Sequence, residues 1–180
     1  MAKAHTDLPL LLVSGLGAIL ERELGTLRRE VEAYPEERDL WREVPGIANV
    51  GGTLVLHLTG NVQHYFGAQL GGTAYIRDRP AEFARRDASR AELLREIGVA
   101  EAAVKAGLSR LEEPALTAEF PEIIAGSRIL TGEYLVHLSV HFAYHLGQLD
   151  CHRRVVTGQT NGVGAVRPAE LSSARPADVQ

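Results

Sequence analysis

A chain of 180 residues with 45% hydrophobic and 23% charged residues is long enough to bury a core as a single domain without staples. A formal net charge of -4 excludes the basic footprint of a nucleic-acid binder, and only Lys3 and Lys105 are lysines, so nearly all positive charge is arginine. Cys151 is the single cysteine, which excludes an intrachain disulfide and makes a reducing cytoplasm the expected compartment.

The N-terminal run LPLLLVSGLGAIL has the apolarity of a signal-peptide core, but Asp7 interrupts the segment before it and no small-x-small cleavage site follows. Nor does any stretch reach the roughly 18 uninterrupted apolar residues of a membrane span without carrying histidines. A soluble cytoplasmic protein without a membrane partner is expected. Leu12, Leu16, Ile19, Leu20, Leu24, Leu27 and Val31 recur at helical spacing and predict a first amphipathic helix ending before Tyr34-Pro35. In the polar connection that follows, Trp41 reads as an apolar plug over one end of the fold. A second helix is expected from near Pro45-Gly46, or later from Thr53, with Val50, Leu54, Leu58, Val62 and Tyr65 on its stripe. His57 and Asn61 flank that stripe, and Gly51-Gly52 reads as a place where a neighbour comes close.

Residues 67 to 88 lack a sustained period and read as a long crossover, in which Arg77, Arg79, Arg85 and Arg86 alternate with Asp78, Glu82 and Asp87 as a solvated loop. Ser89 and Glu92 form a capping box ahead of a third helix through Leu93, Ile97, Val104 and Leu108. A second long connection runs to about Arg128, and Thr131 is the expected cap of a fourth helix. That helix carries no Asp, Glu, Lys or Arg between Glu133 and Asp150, and its far face (Val136, Val140, Ala143, Gly147, Cys151) is small and apolar. A helix apolar all round is buried all round, so a homodimer with this face near the interface is expected. The sum is an all-α protein, a four-helix bundle with long crossover connections over residues 1–158, followed by a flexible or loosely packed tail over 159–180.

The fourth helix also carries His137, His141 and His145, each four residues after the last, on one ridge. At about 100° per residue, His145 falls near the middle of the apolar face, His141 about 60° aside and His137 about 100° away. A pair of inward imidazoles at i and i+4 has the spacing to hold one metal ion, or else each ring is a core histidine satisfied by hydrogen bonds. His57 on the facing helix is the expected third ligand. Three histidines with a fourth position open is the catalytic pattern for zinc, and nickel suits imidazole as well. Asn61, Gln148 and His137 are candidates to orient the ligands. His64 and His152 are expected at the rim, His5 in a tail, and Arg153 and Arg154 near a helix C-terminus, where cations suit the dipole. Cys151 lies on the opposite face from the pair. Glu-x-x-His, His-Glu-x-x-His and Gly-x-Ser-x-Gly are absent, which removes the di-iron, zincin and hydrolase-elbow readings.

The segments PGIANVGGTLVLHLTGNVQHYFGAQLGG, YIRDRPAEF and HLSVHFAYHLGQLDCHRR together resemble the DinB-like superfamily of four-helix bundles, which includes the bacillithiol S-transferases. The resemblance runs from about Leu10 to Val156, and His-x-x-x-His-x-Gly-Gln is its most specific part. It implies a divalent metal on His57, His141 and His145 and a tendency to dimerise. It also implies thiol transfer or isomerisation using a low-molecular-weight thiol cosubstrate and a small-molecule substrate. The family commonly has arginine after the histidine that precedes Gly-Gln; Leu146 stands there, so no role of that arginine carries over. The leading expectation is a metal-dependent thiol S-transferase. The alternatives are a metal-binding stress-response bundle without turnover and a dimeric structural protein.

Overall fold

The computed structural model describes residues 8–177, and over them six α-helices form and no strand does. His5 lies outside the described residues. Four helices are long: α1 (Leu8–Glu32), α2 (Gly51–Val62), α4 (Arg90–Ser109) and α6 (Thr131–Thr157). Two are short: α3 (Arg79–Ala84) and α5 (Glu113–Leu116). The chain is therefore all-α. α2 runs on without a break into a π-helical stretch, Gln63–Leu70.

Local chemistry sets most of these boundaries. At the start of α4, Ser89 Oγ accepts from the Glu92 amide at 3.2 Å while Glu92 accepts from the Ser89 amide at 2.7 Å, the reciprocal capping box. α6 ends where Gly158 takes the left-handed conformation (φ 69°), which suits glycine because it has no Cβ to clash. Two boundaries differ from the sequence expectation. α2 starts at Gly51, six residues after Pro45, and Thr131 is the first residue of α6 rather than its cap. The Thr131 hydroxyl donates instead to the Ala118 carbonyl at 3.1 Å, tying the helix start to the preceding connection. α3 was not expected, because the 67–88 crossover shows no helical period. Asp78 caps it by accepting from the Ala81 amide at 3.0 Å, and Pro80 sits in its first turn.

Particular contacts fix how the long helices run. Arg28 and Glu21 of α1 meet Glu101 and Lys105 of α4, which makes that pair antiparallel. Gly51 lies beside His152, and His57 lies beside His141 and His145, so α2 and α6 are antiparallel too. Gln63 bonds Glu96 while Phe66 packs on Gly107, so the π-helical extension and α4 run in the same direction. Glu30 meets Arg153 near the C-terminal ends of α1 and α6, which makes that pair parallel. The apolar stripes read from the sequence close on one core that includes Leu20, Leu27, Leu58, Ile97, Phe142 and Leu149. This packing is consistent with bundle topology, and its mixed directions require long crossings. Trp41 covers Gly52, where a Cβ would overlap its ring, and donates from Nε1 to the Ala88 carbonyl at 3.1 Å.

His152, expected at the rim, is buried, and so is Arg153 near the helix C-terminus. His152 has no exposed area: its Nδ1 accepts from the Tyr34 hydroxyl at 2.8 Å and its Nε2 donates to the Arg42 carbonyl at 2.9 Å. Arg153 is equally buried and bonds Glu30 at 2.5 Å and Asp150 at 2.8 Å. Helical registry turned these two inward because they follow Leu149 by three and four residues. Further on, Arg29, Arg153 and Arg154 donate to the carbonyls of Val163, Asn161 and Thr160, at 2.8, 3.1 and 2.8 Å. Among the described residues no helix is long and apolar enough to cross a membrane.

Arg153→Met is expected to cost about 3–5 kcal/mol in urea unfolding, because it strands the Glu30 carboxylate in the core, and Glu30→Leu added to it should restore most of the loss. A pH dependence follows from His152, whose value burial holds below the ordinary 6.5. The unfolded chain then binds the proton more readily than the folded one, so stability is complete above about pH 6.5 and declines as pH falls below it. Urea midpoints measured down a pH series should show that decline, and His152→Gln should make it shallower, with His141 and His145 accounting for what remains.

Candidate metal centre

α2 and α6 face each other antiparallel, so one turn of α2 opposes two turns of α6. His57 enters from α2 with its ring centroid 5.3 Å from that of His141 and 5.0 Å from that of His145. His141 and His145, one turn apart on α6, stand 4.6 Å apart. One ligand atom from each of the three lies within 4.8 Å of the others. His57 is buried and the other two are half-buried, so the cluster closes on the core side and opens on the other. His137 lies one turn further along α6, exposed and stacked on Tyr134, with its centroid 6.2 Å from His141.

The hydrogen bonds decide which ring nitrogens remain free. Gln148 Oε1 accepts from His145 Nδ1 at 2.8 Å, one helical turn on. Glu82 Oε2 accepts from His57 Nδ1 at 2.9 Å. Burial works to raise the Glu82 carboxyl, but the bonds from His57 and Arg77 outweigh it and hold the group below the ordinary carboxylate range. An ionised carboxylate is an acceptor only, so His57 Nδ1 carries the proton and Nε2 bears the lone pair. The nearby Arg77 Nη2, 3.5 Å from Nδ1, is then no hydrogen bond, since both atoms carry protons. His141 differs from both. Its Nδ1 is buried without a hydrogen-bond partner among the described residues. Asn61 is buried one turn from His57 but bonds to none of the three rings.

Burial, then the neighbouring rings and Arg77, push His141 down to about 4, and burial also lowers His145, against its bond to Gln148. Both are neutral at physiological pH, the form in which imidazole binds a metal. Three imidazoles converging from two helices, one with an unpartnered buried nitrogen, fit a divalent ion. The donor set suits zinc and nickel alike. Around the open side stand Phe83, 4.9 Å from His57, and Tyr144, 5.2 Å from His145, with Arg79 over Phe83. Cys151 is exposed on the outer face of α6. A cavity of about 760 Å³ between α1, the end of α4 and residues 170–172 touches none of the three histidines.

The sequence reading brought His57, His141 and His145 to one place, and the structure has them in one cluster. It missed Arg77 and Glu82, which it had placed in a solvated loop. Their side chains are only 11% and 6% exposed and are paired beside His57. The one local signal was the Asp-x-Pro start of α3, which sets Glu82 one turn inside a capped helix. His64, expected at the rim, is half-buried and bonds Glu122 at 2.6 Å, apart from the cluster.

No protein-family model matches the chain, and no curated protein matches it.

The unpartnered nitrogen yields a stability prediction. In metal-free buffer, His141→Phe should leave stability unchanged or raise it by up to about 1–3 kcal/mol, because it removes an unsatisfied buried polar atom. His57→Phe should instead lower stability by about 1–3 kcal/mol, since Glu82 loses a donor. Urea unfolding with chelator present measures both.

Proposed function

We propose that this protein is a DinB-like four-helix bundle that binds a divalent metal through His57, His141 and His145 and acts as a metal-dependent thiol S-transferase. The observation that carries the metal reading is the convergence of three imidazoles, with one buried nitrogen of His141 unpartnered. That atom argues against histidines satisfied by hydrogen bonds alone, as does the neutral state to which burial drives His141 and His145. The transferase reading rests on the resemblance of the three sequence segments and on the half-open geometry, with three protein donors and one exposed side.

The chain's own residues divide the work as follows. His57, His141 and His145 hold the ion, and the bonds to Glu82 and Gln148 keep the opposite nitrogens of two rings bare. When bound, the divalent ion supplies Lewis acidity that favours the thiolate form of a small thiol. Phe83 and Tyr144 frame the approach with apolar surface. Cys151 faces away, so the thiol is a diffusible low-molecular-weight cosubstrate and the electrophile a second small molecule.

The same reading includes a homodimer. Val136 and Val140 of α6 and Leu8, Leu11 and Leu12 of α1 are exposed large hydrophobics, and no charged residue interrupts α6 between Glu133 and Asp150. A second copy of the chain is the proposed cover.

Protein purified without a nickel column is expected to carry about one equivalent of metal, lost in His57→Ala and His141→Ala, by elemental analysis. Equal content in all three would sink the site. A screen of cellular thiols against electrophiles should show turnover that His57→Ala lacks; metal without turnover would favour the stress-response bundle. For the dimer, Val140→Glu should shift the sedimentation coefficient from dimer to monomer with helicity unchanged.

A further inference from the structure

Glu82 is an unusual residue to find beneath a connecting segment. A carboxylate taken out of water is expensive, and an apolar side chain of similar volume would pack the short α3 helix at least as well. The fold nevertheless makes room for it. At Gly60 of α2 a Cβ would overlap Glu82 Oε1, so only glycine lets the carboxyl approach this wall of the helix. Arg77 then holds the group from behind. Its Nε donates to Oε1 at 2.7 Å and its Nη2 to Oε2 at 3.0 Å, while its guanidinium sits over the Tyr65 ring at 5.7 Å. Oε2 is left with one further direction, and His57 Nδ1 occupies it at 2.9 Å.

We infer that Glu82, aimed by Arg77 and admitted by Gly60, is a positioning residue for the metal centre: it fixes the ring and tautomer of His57 so that Nε2 is its free donor, and its charge makes that donor stronger. The inference rests on the reading that the three histidines take a metal, and it extends that reading to the 72–89 crossover, which contributes no ligand. A carboxylate on the far nitrogen of a metal-binding imidazole raises the basicity of the coordinating one, and losing such a partner typically weakens metal binding about 10–100-fold. The two supported rings are unlike in this respect. His145 leans on the neutral amide of Gln148, whereas His57 leans on a charged group that is itself neutralised by Arg77. Net charge in the site is thereby kept near zero before an ion arrives, while the local field at His57 favours a cation.

The test uses the full chain stripped of metal, with Zn(II) as the probe, in wild type, E82Q and E82L. Isothermal titration gives affinity, and long-range ¹H–¹⁵N spectra give the His57 tautomer. E82Q, nearly isosteric, is expected to weaken Zn(II) binding about 10-fold and E82L by up to about 100-fold. In E82L, which has no acceptor, His57 should move from Nδ1–H alone towards a mixture with Nε2–H; in E82Q the amide oxygen still accepts, so the tautomer holds and only the charge is lost. Circular dichroism confirms that the variants are folded, and for affinity E82Q alone suffices if E82L is not. Affinity within twofold of wild type in a folded variant, even with a lowered melting temperature, would reduce Glu82 to a structural ion pair and overturn the inference. Should wild type itself take up no Zn(II), the metal reading falls separately. The tautomer spectra of the metal-free proteins still decide about Glu82, and an unchanged His57 tautomer in E82L, or in E82A should E82L not fold, would reject its positioning role.

Discussion

The constraint on which this structure turns is the removal of polar rings and charges from water along the faces of α6. An imidazole, a carboxylate or a guanidinium inside a helical core is tolerated only when its hydrogen-bonding atoms find partners. α6 buries such groups towards two neighbours. On the α2 side stand the histidines, with Gln148 and Glu82 as acceptors. On the α1 side Arg153 is closed by Glu30 and Asp150. Each cluster joins segments far apart in sequence, so each specifies a relative placement of helices that apolar packing alone would leave freer to slide.

The two clusters differ in completeness. Around Arg153 the carboxylates of Glu30 and Asp150 and the carbonyl of Asn161 satisfy the guanidinium from several directions. Around the histidines His57 and His145 each have one nitrogen engaged, while the buried Nδ1 of His141 has no partner. Networks that serve only stability are expected to close on themselves, because a half-satisfied buried network is worse than an apolar one. A core that leaves one nitrogen of three converging rings unpartnered carries a cost for which packing offers no return. Binding of a cation at that point is the physical explanation that uses the same atoms.

How much of this could be read from the sequence follows from the range of the interactions. Helix identity came from periodicity and caps, which act within a turn or two. Ser89 with Glu92 is such a signal, and so is the leucine stripe of α1. The three histidines were legible because two of them share a face at i and i+4 and the third flanks the seam of a facing helix. Glu82 and Arg77 were not, because among alternating charges nothing local distinguishes a buried pair from a solvated one. Their burial depends on Gly60, more than sixteen residues away, and on a six-residue helix too short to show a period. The rim placement of His152 failed, and the depth of Arg153 went unseen, for a related reason. The rule that cations near a helix C-terminus favour solvent and the dipole is weaker than registry, and registry had placed them three and four residues after the buried Leu149.

The arrangement also bears on where change is tolerated. Phe83 and Arg79 stand on α3, the helix that delivers Glu82, so the residues framing the open side and the residue aiming His57 share one short element. On the metal reading proposed above, substitutions at Phe83 or Arg79 are therefore coupled to metal affinity through the placement of a single carboxylate. Tyr144 belongs to the opposite wall and is rooted in the middle of α6, where the core holds the backbone. Variation in what the site accepts should thus be freer on the α6 side, since a change at Tyr144 leaves the His57–Glu82–Arg77 geometry in place. A change in the length or cap of α3 would displace that geometry even if every histidine stayed where it is.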